Sequence, residues 1–154
     1  VHSSLNEVID YGAYTDELYD YCNLQLGIAK PGEECFTLNE ISPDYGSEIA
    51  AYYWWVFPNL MLNYYPWGLS INIIRPLAKD LTKVSFLTYV CDQSKLDKGA
   101  GSGLDRVERE DEAIVEMVQR GMQSSFYSRG RYSPKRERGV HHFHRLLTEF
   151  LNNE

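Results

Sequence analysis

A chain of 154 residues suits one domain with a sizeable core, and 44% hydrophobic with 14% aromatic residues excludes a disordered chain. A formal charge of −7 and a pI near 5.1 argue against a nucleic-acid binder, whose affinity leans on a basic surface. The longest apolar run, "AAYYWWVF", is too short to cross a bilayer, and no signal peptide precedes it, so a cytoplasmic protein with no membrane partner is expected.

After a short polar start, "DYCNLQLGIAK" (20 to 30) reads as a strand closed by the Pro31-Gly32 turn signal, and a polar looped region follows through "LNEISPDYG". From Tyr52 to Val90 the chain carries its densest β signal. Turn chemistry cuts it into "AYYWWVF", "LMLNYY", "LSINIIRPL" and "TKVSFLTYV". Short links predict antiparallel neighbours, and the alternation in "GLSINII" and "KVSFLTYV" predicts one face on a core and a wetter one opposite.

The stretch "KGAGSGLD" (98 to 105) reads as a flexible connection, and a helix is predicted over 108 to 127. The basic run "RGRYSPKRER" (129 to 138) reads as a solvated connector or as a docking point for an acidic partner. A final helix, "GVHHFHRLLTEFLNN", keeps Phe143, Leu146, Leu147 and Phe150 at helical spacing. The expected class is α+β, an antiparallel sheet of about four or more strands with helices covering one face.

Within "EREDEAIVEMVQRGM", Ile114, Val115, Val118 and Met122 form one apolar stripe, and Asp111 falls in its middle. Two readings stand. In the first turn, Asp111 would cap the helix and complement its dipole; facing the core, it needs a cation, a metal or hydrogen-bond donors to offset its desolvation.

The triplet in "HHFH" suggests a metal cluster, yet helical neighbours diverge by about 100°, so flank positions of an amphipathic helix are the better reading, with His142 and His144 the packed pair. The cysteines Cys22, Cys35 and Cys91 follow no CxxC spacing and are read as reduced thiols. No GxSxG, HExxH or glycine-rich phosphate loop occurs, so hydrolase, zincin and nucleotide-binding readings lack their local chemistry.

Taken together, "WVFPNLMLNYYPWGLSINIIRPL", "EREDEAIVEMVQRGM" and "GRYSPKRERGVHHFHRLL" resemble the C-terminal catalytic domain of the α subunit of Rieske non-haem iron oxygenases. These are the ring-hydroxylating oxygenases and their relatives acting on choline, carnitine and betaine. The resemblance runs from Val1 to about Leu151 and implies a helix-grip fold, a sheet wrapped around a long helix.

It further implies iron held by two histidines of a His-x4-His motif and one carboxylate from a late helix. The start "VHSSL" looks like the end of that motif, which makes His2 the second histidine ligand, and Asp111 falls on the carboxylate ligand. Val107, Val115 and, on the strand after "VFPN", Met61 match substrate-pocket positions.

The first histidine and the Rieske domain with its 2Fe-2S cluster would lie before Val1. Residues 1–154 are therefore expected to be a single catalytic-domain fragment, inactive alone and weak in iron binding. The whole protein would pass electrons from NAD(P)H, through a reductase or ferredoxin and the Rieske cluster of a neighbouring subunit in a homotrimer, to Fe(II) and O2. The small organic substrate, an aromatic ring or a quaternary amine, would leave as a cis-diol, a hydroxylated product or a dealkylated one.

The aromatic-rich "YYWWVF" and "NYYPW" either pack or hold a quaternary ammonium by cation–π contacts, and the quaternary amine is the favoured substrate. The rival from another class is a non-catalytic helix-grip module binding a small apolar ligand in the same cavity.

Overall fold

Residues 3–152 are described by the structure, a computed structural model. Short turns at Phe57–Asn59, Pro66-Trp67 and Lys79-Asp80 fold each of the last three strands back on its predecessor. The result is a six-stranded antiparallel meander: β1 (Thr15–Leu18), β2 (Cys22–Ile28), β3 (Ile49–Val56), β4 (Leu60–Tyr65), β5 (Gly68–Ala78) and β6 (Leu81–Val90), hydrogen-bonded in that order. Around it lie α1 (Ser3–Val8), α2 (Leu104–Met122) and α3 (Arg138–Asn152). The fold is α+β of the helix-grip type, with five strands, β2 to β6, close to the runs legible in the sequence. The short β1 and α1 carry too little periodicity to be read in advance.

Register places Gln25, Tyr53, Asn63 and Ser70 directly opposite one another on successive strands, and the next row on the same face is Asn23, Trp55, Met61 and Asn72. The other face carries Leu24, Trp54, Leu62, Ile71 and Leu87 in one row. The expectation of an apolar face on the core and a wetter face outside is therefore reversed along "GLSINII", whereas along "KVSFLTYV" it holds, with Val84 and Phe86 on the inner face and Lys83 and Ser85 outside. The helices lie over the face that holds the amides, because that face lines a cavity as well as a core.

α3 sits on this inner face. Phe143 meets Trp55 edge-on at 5.3 Å, Phe150 meets Phe57 at 5.1 Å, and Leu146 is buried. The main core fills one end of the sheet, where Ile9, Ala51, Tyr65, Trp67 and Ala100 cluster.

Two further expectations are corrected. The segment 98 to 105 is not a loose connection: residues 99–101 form a 3-10 turn with Ala100 and Gly101 buried, and a Cβ on Gly101 would lie 2.1 Å from Trp67 Nε1. The helix expected from residue 108 begins at Leu104, after Gly103 in a left-handed conformation (φ 61°), so Asp111 lies two turns inside and cannot cap it. Nor is Asp111 buried. No residue of α2 is, and the stripe residues Ile114, Val115, Val118 and Met122 are all exposed, since only the first turns of α2 reach over the sheet.

Candidate active site: a tyrosine-walled cavity closed by α2

The inner face of the sheet, α1 with the loop after it, and the start of α2 enclose a cavity of about 310 Å³. That volume lies at the lower end of the roughly 300–1,000 Å³ usual for small-molecule sites, and suits a small ligand. Its floor is the in-register set Gln25, Asn63, Ser70 and Asn72, with Met61 beside them. Leu5 and Ile9 close one side, and Ala100 another.

Four tyrosines form the aromatic wall. Tyr11 and Tyr14 stand 5.8 Å apart between ring centres, Tyr14 and Tyr53 stack at 6.5 Å, and Tyr53 meets Tyr65 edge-on at 5.9 Å. Burial pushes the hydroxyls of Tyr14, Tyr53 and Tyr65 above the ordinary tyrosine value, so all four rings are neutral faces at physiological pH.

Two hydrogen bonds shape the floor: the Tyr14 hydroxyl donates to Gln25 Oε1 at 3.0 Å, and Ser70 donates to Asn72 Oδ1 at 3.4 Å. Asn63 differs. It is 7% exposed, yet its side chain makes no hydrogen bond to another described residue. The Tyr53 hydroxyl, next to that of Tyr65, is likewise buried without a well-formed hydrogen bond. Leaving a buried polar group unpaired costs roughly 1–3 kcal/mol, so such groups concentrate where a ligand will satisfy them.

The roof comes from one face of α2. Leu104, Val107, Glu108 and Asp111 line the cavity at helical spacing. Burial first, and then the charges of Asp105, Glu112 and Asp111, hold the Glu108 carboxyl above the usual carboxylate range. The described lining residues include the two acids Glu108 and Asp111 and no lysine, arginine or histidine.

Of the residues expected from sequence, Asp111, Val107 and Met61 come together here. Val115 does not: it lies one turn beyond the cavity on the same helix face and is 67% exposed. His2 lies outside the described residues. Among the described residues no three His, Cys, Asp or Glu side chains gather as a metal site.

Missed in the sequence were the amide floor, Glu108 and the Tyr11–Tyr14 wall. A usable signal existed for the floor, since Asn63, Ser70 and Asn72 interrupt otherwise apolar strands on either side of one tight turn.

The histidines of α3 lie elsewhere. His144 Nδ1 shares a hydrogen bond with the Tyr132 hydroxyl, and His142, with a buried and unpartnered Nε2, lines a second depression of about 450 Å³ beside Arg145 and Tyr21. Its Arg145 is already paired with Glu149 at 3.3 Å, and its lining includes none of the site residues expected from sequence.

The family model for the ring hydroxylating alpha subunit (catalytic domain) matches residues 37–153. Among individual proteins, the chloroplastic choline monooxygenase of Arabidopsis thaliana is 36% identical over 154 residues, covering 95% of this chain and 34% of the relative. The chloroplastic choline monooxygenase of Beta vulgaris is 29% identical, covering 93% and 31%. The carnitine monooxygenase oxygenase subunit of Escherichia coli (strain K12) is 28% identical over 164 residues, covering 99% and 42%. The chain thus spans about a third of the length of the curated choline monooxygenases it matches.

Proposed function

The chain belongs to the family of ring-hydroxylating α-subunit catalytic domains, and from that premise we propose that it is the catalytic domain of a Rieske-type monooxygenase acting on a small quaternary amine. The observation that carries the reading is the convergence of Asp111, Glu108 and four neutral tyrosine rings on one cavity.

Aromatic faces attract a quaternary ammonium through their quadrupoles, by about 2 kcal/mol or more when desolvated, and a carboxylate adds the counter-charge. The relatives support this choice, being named for choline and carnitine. They lend no support to a dioxygenase of aromatic hydrocarbons, and neither does an acidic cavity, which gains nothing from a neutral arene.

The donor chemistry fits Fe(II): a carboxylate presented at the wall of a cavity, with the His2 imidazole expected as its fellow ligand from the family resemblance. Asp111 and His2 would hold the metal, and a further histidine is expected from outside these residues. When bound, the metal supplies activation of O2. The chain's own residues do the rest. Val107, Leu104 and the tyrosines exclude water, Glu108 and the ring faces hold the ammonium, and the sheet floor sets how far the substrate enters.

A reductase or ferredoxin and a 2Fe-2S cluster belong to the proposal as the electron source, with a homotrimer as its assembly. No described helix is long and apolar enough to cross a membrane. The test is iron content and choline-dependent oxygen uptake of the full-length protein with Asp111→Ala. Loss of both is expected, and iron retained at the native level removes Asp111 from the site.

A further inference from the structure

The floor of the cavity holds a group the reading above leaves unused. Asn63 lies in the centre of the sheet between Tyr53 and Ser70, more than nine-tenths buried, lines the cavity, and has no side-chain partner among the described residues. Its neighbours on the floor are spoken for: Gln25 Oε1 accepts from Tyr14, and Asn72 Oδ1 from Ser70. With Oε1 engaged, Gln25 has its two N–H donors left for the cavity.

The Asn63 amide opens onto the cavity and, among the described residues, onto no partner, so a ligand there can meet both its carbonyl and its N–H groups. The charges stand on the other wall, where Glu108 and Asp111 project from α2. A ligand that spans the cavity meets acids at one end and neutral amides at the other.

We infer that Asn63, assisted by Gln25, is a specificity-determining residue that receives the uncharged polar end of the substrate, a hydroxyl, and discriminates against the same cation ending in a carboxylate. The inference rests on the quaternary-amine reading and sharpens it. A hydroxyl both donates to Asn63 Oδ1 and accepts from an amide N–H, so it pairs with the floor in both senses. A carboxylate is acceptor-only, leaves Oδ1 unpaired, and brings its charge to a floor whose described side chains are neutral amides and a hydroxyl.

The experiment is calorimetric titration of the purified, chelator-treated protein, so that only its own side chains are read. The ligands are choline, glycine betaine, and the neutral isostere of choline with carbon in place of the ammonium nitrogen. Choline is expected to bind at least roughly tenfold more tightly than glycine betaine, and Asn63→Leu to lose about tenfold of choline affinity while leaving betaine nearly unchanged. The melting temperature of Asn63→Leu should stay level or rise, which a purely structural asparagine would not allow. Asn63→Ser, which cannot overfill the site, should give the same direction if the leucine variant fails to fold.

Equal binding of choline and betaine, or an equal effect of Asn63 variants on both, overturns the end-group assignment and leaves the cation site standing. Binding of the neutral isostere as tightly as choline, or no binding of either cation, overturns the quaternary-amine reading and this inference with it.

Discussion

The carboxylate of Asp16, on the edge strand β1, accepts a hydrogen bond of 3.0 Å from the backbone N–H of Gly139 in the first turn of α3, across 123 residues of sequence. One of the four N–H groups that a helix leaves unpaired at its start is thereby capped from a distant strand, and the negative charge faces the positive end of the helix dipole. Gly139 is needed for the approach, because a Cβ there would stand 2.9 Å from Asn23 Nδ2. Asp16 therefore fixes where α3 lies on the sheet.

Asp16→Ala is expected to destabilise the protein by roughly 1–2 kcal/mol, since the amide loses a charge-assisted partner in a half-buried place. Amide exchange at Gly139 and along the first two turns of α3 should quicken more than exchange in β3 to β5. Uniform quickening across the sheet would count against a local docking role.

Gly101→Ala should be costly for the reason its Cβ has nowhere to go, with Trp67 Nε1 at 2.1 Å and Tyr65 Cγ at 2.8 Å. Overpacking of this kind typically costs roughly 1–3 kcal/mol, and both rings are buried in the core. Gly121→Ala is the control: nothing lies within 4 Å of its Cβ, and in the last turn of α2 the change should stabilise by up to about 1 kcal/mol. Urea denaturation of the two variants should move in opposite directions.

The raised hydroxyls of Tyr14, Tyr53 and Tyr65 make a prediction about alkaline pH. A phenol whose ionisation is raised by folding contributes stability that is complete below its unfolded value, near ~10, and is lost as pH rises through and past it, because the unfolded chain ionises first. Tyrosinate absorbance should therefore show these three appearing together with loss of near-ultraviolet circular dichroism. Their ionisation in a still-folded protein would contradict the burial.

Val107 and Val115 test the extent of the cavity. Val107 lines it and Val115, eight residues on, stands outside at 67% exposure. Val107→Ala should enlarge the site and change choline affinity several-fold, whereas Val115→Ala should stay within about twofold. A larger effect at Val115 would mean that substrate extends along α2 beyond the cavity described.

What the linear chain determined by itself was the architecture in its middle and last thirds. Tight turns around Pro58, Pro66 and Asp80 leave no pairing but the adjacent one, and side-chain alternation then assigns every residue to a face. The family resemblance singled out Asp111, Val107 and Met61, which line one cavity, and Val115, which stands outside it.

Only the tertiary structure decided which face of the sheet the helices cover, and it decided against the usual reading, since hydropathy scores Asn63 and Ser70 as solvent-facing and is blind to a cavity that needs them inside. It also moved Asp111 from a supposed core position to the wall of a cavity. The start of α2 is set by Gly103 and by the packing of the 3-10 turn on Trp67, a contact that no periodicity within the helix encodes. Cavity walls combine residues as far apart in the chain as Leu5 and Asp111, and their meeting depends on how the helices close over the sheet.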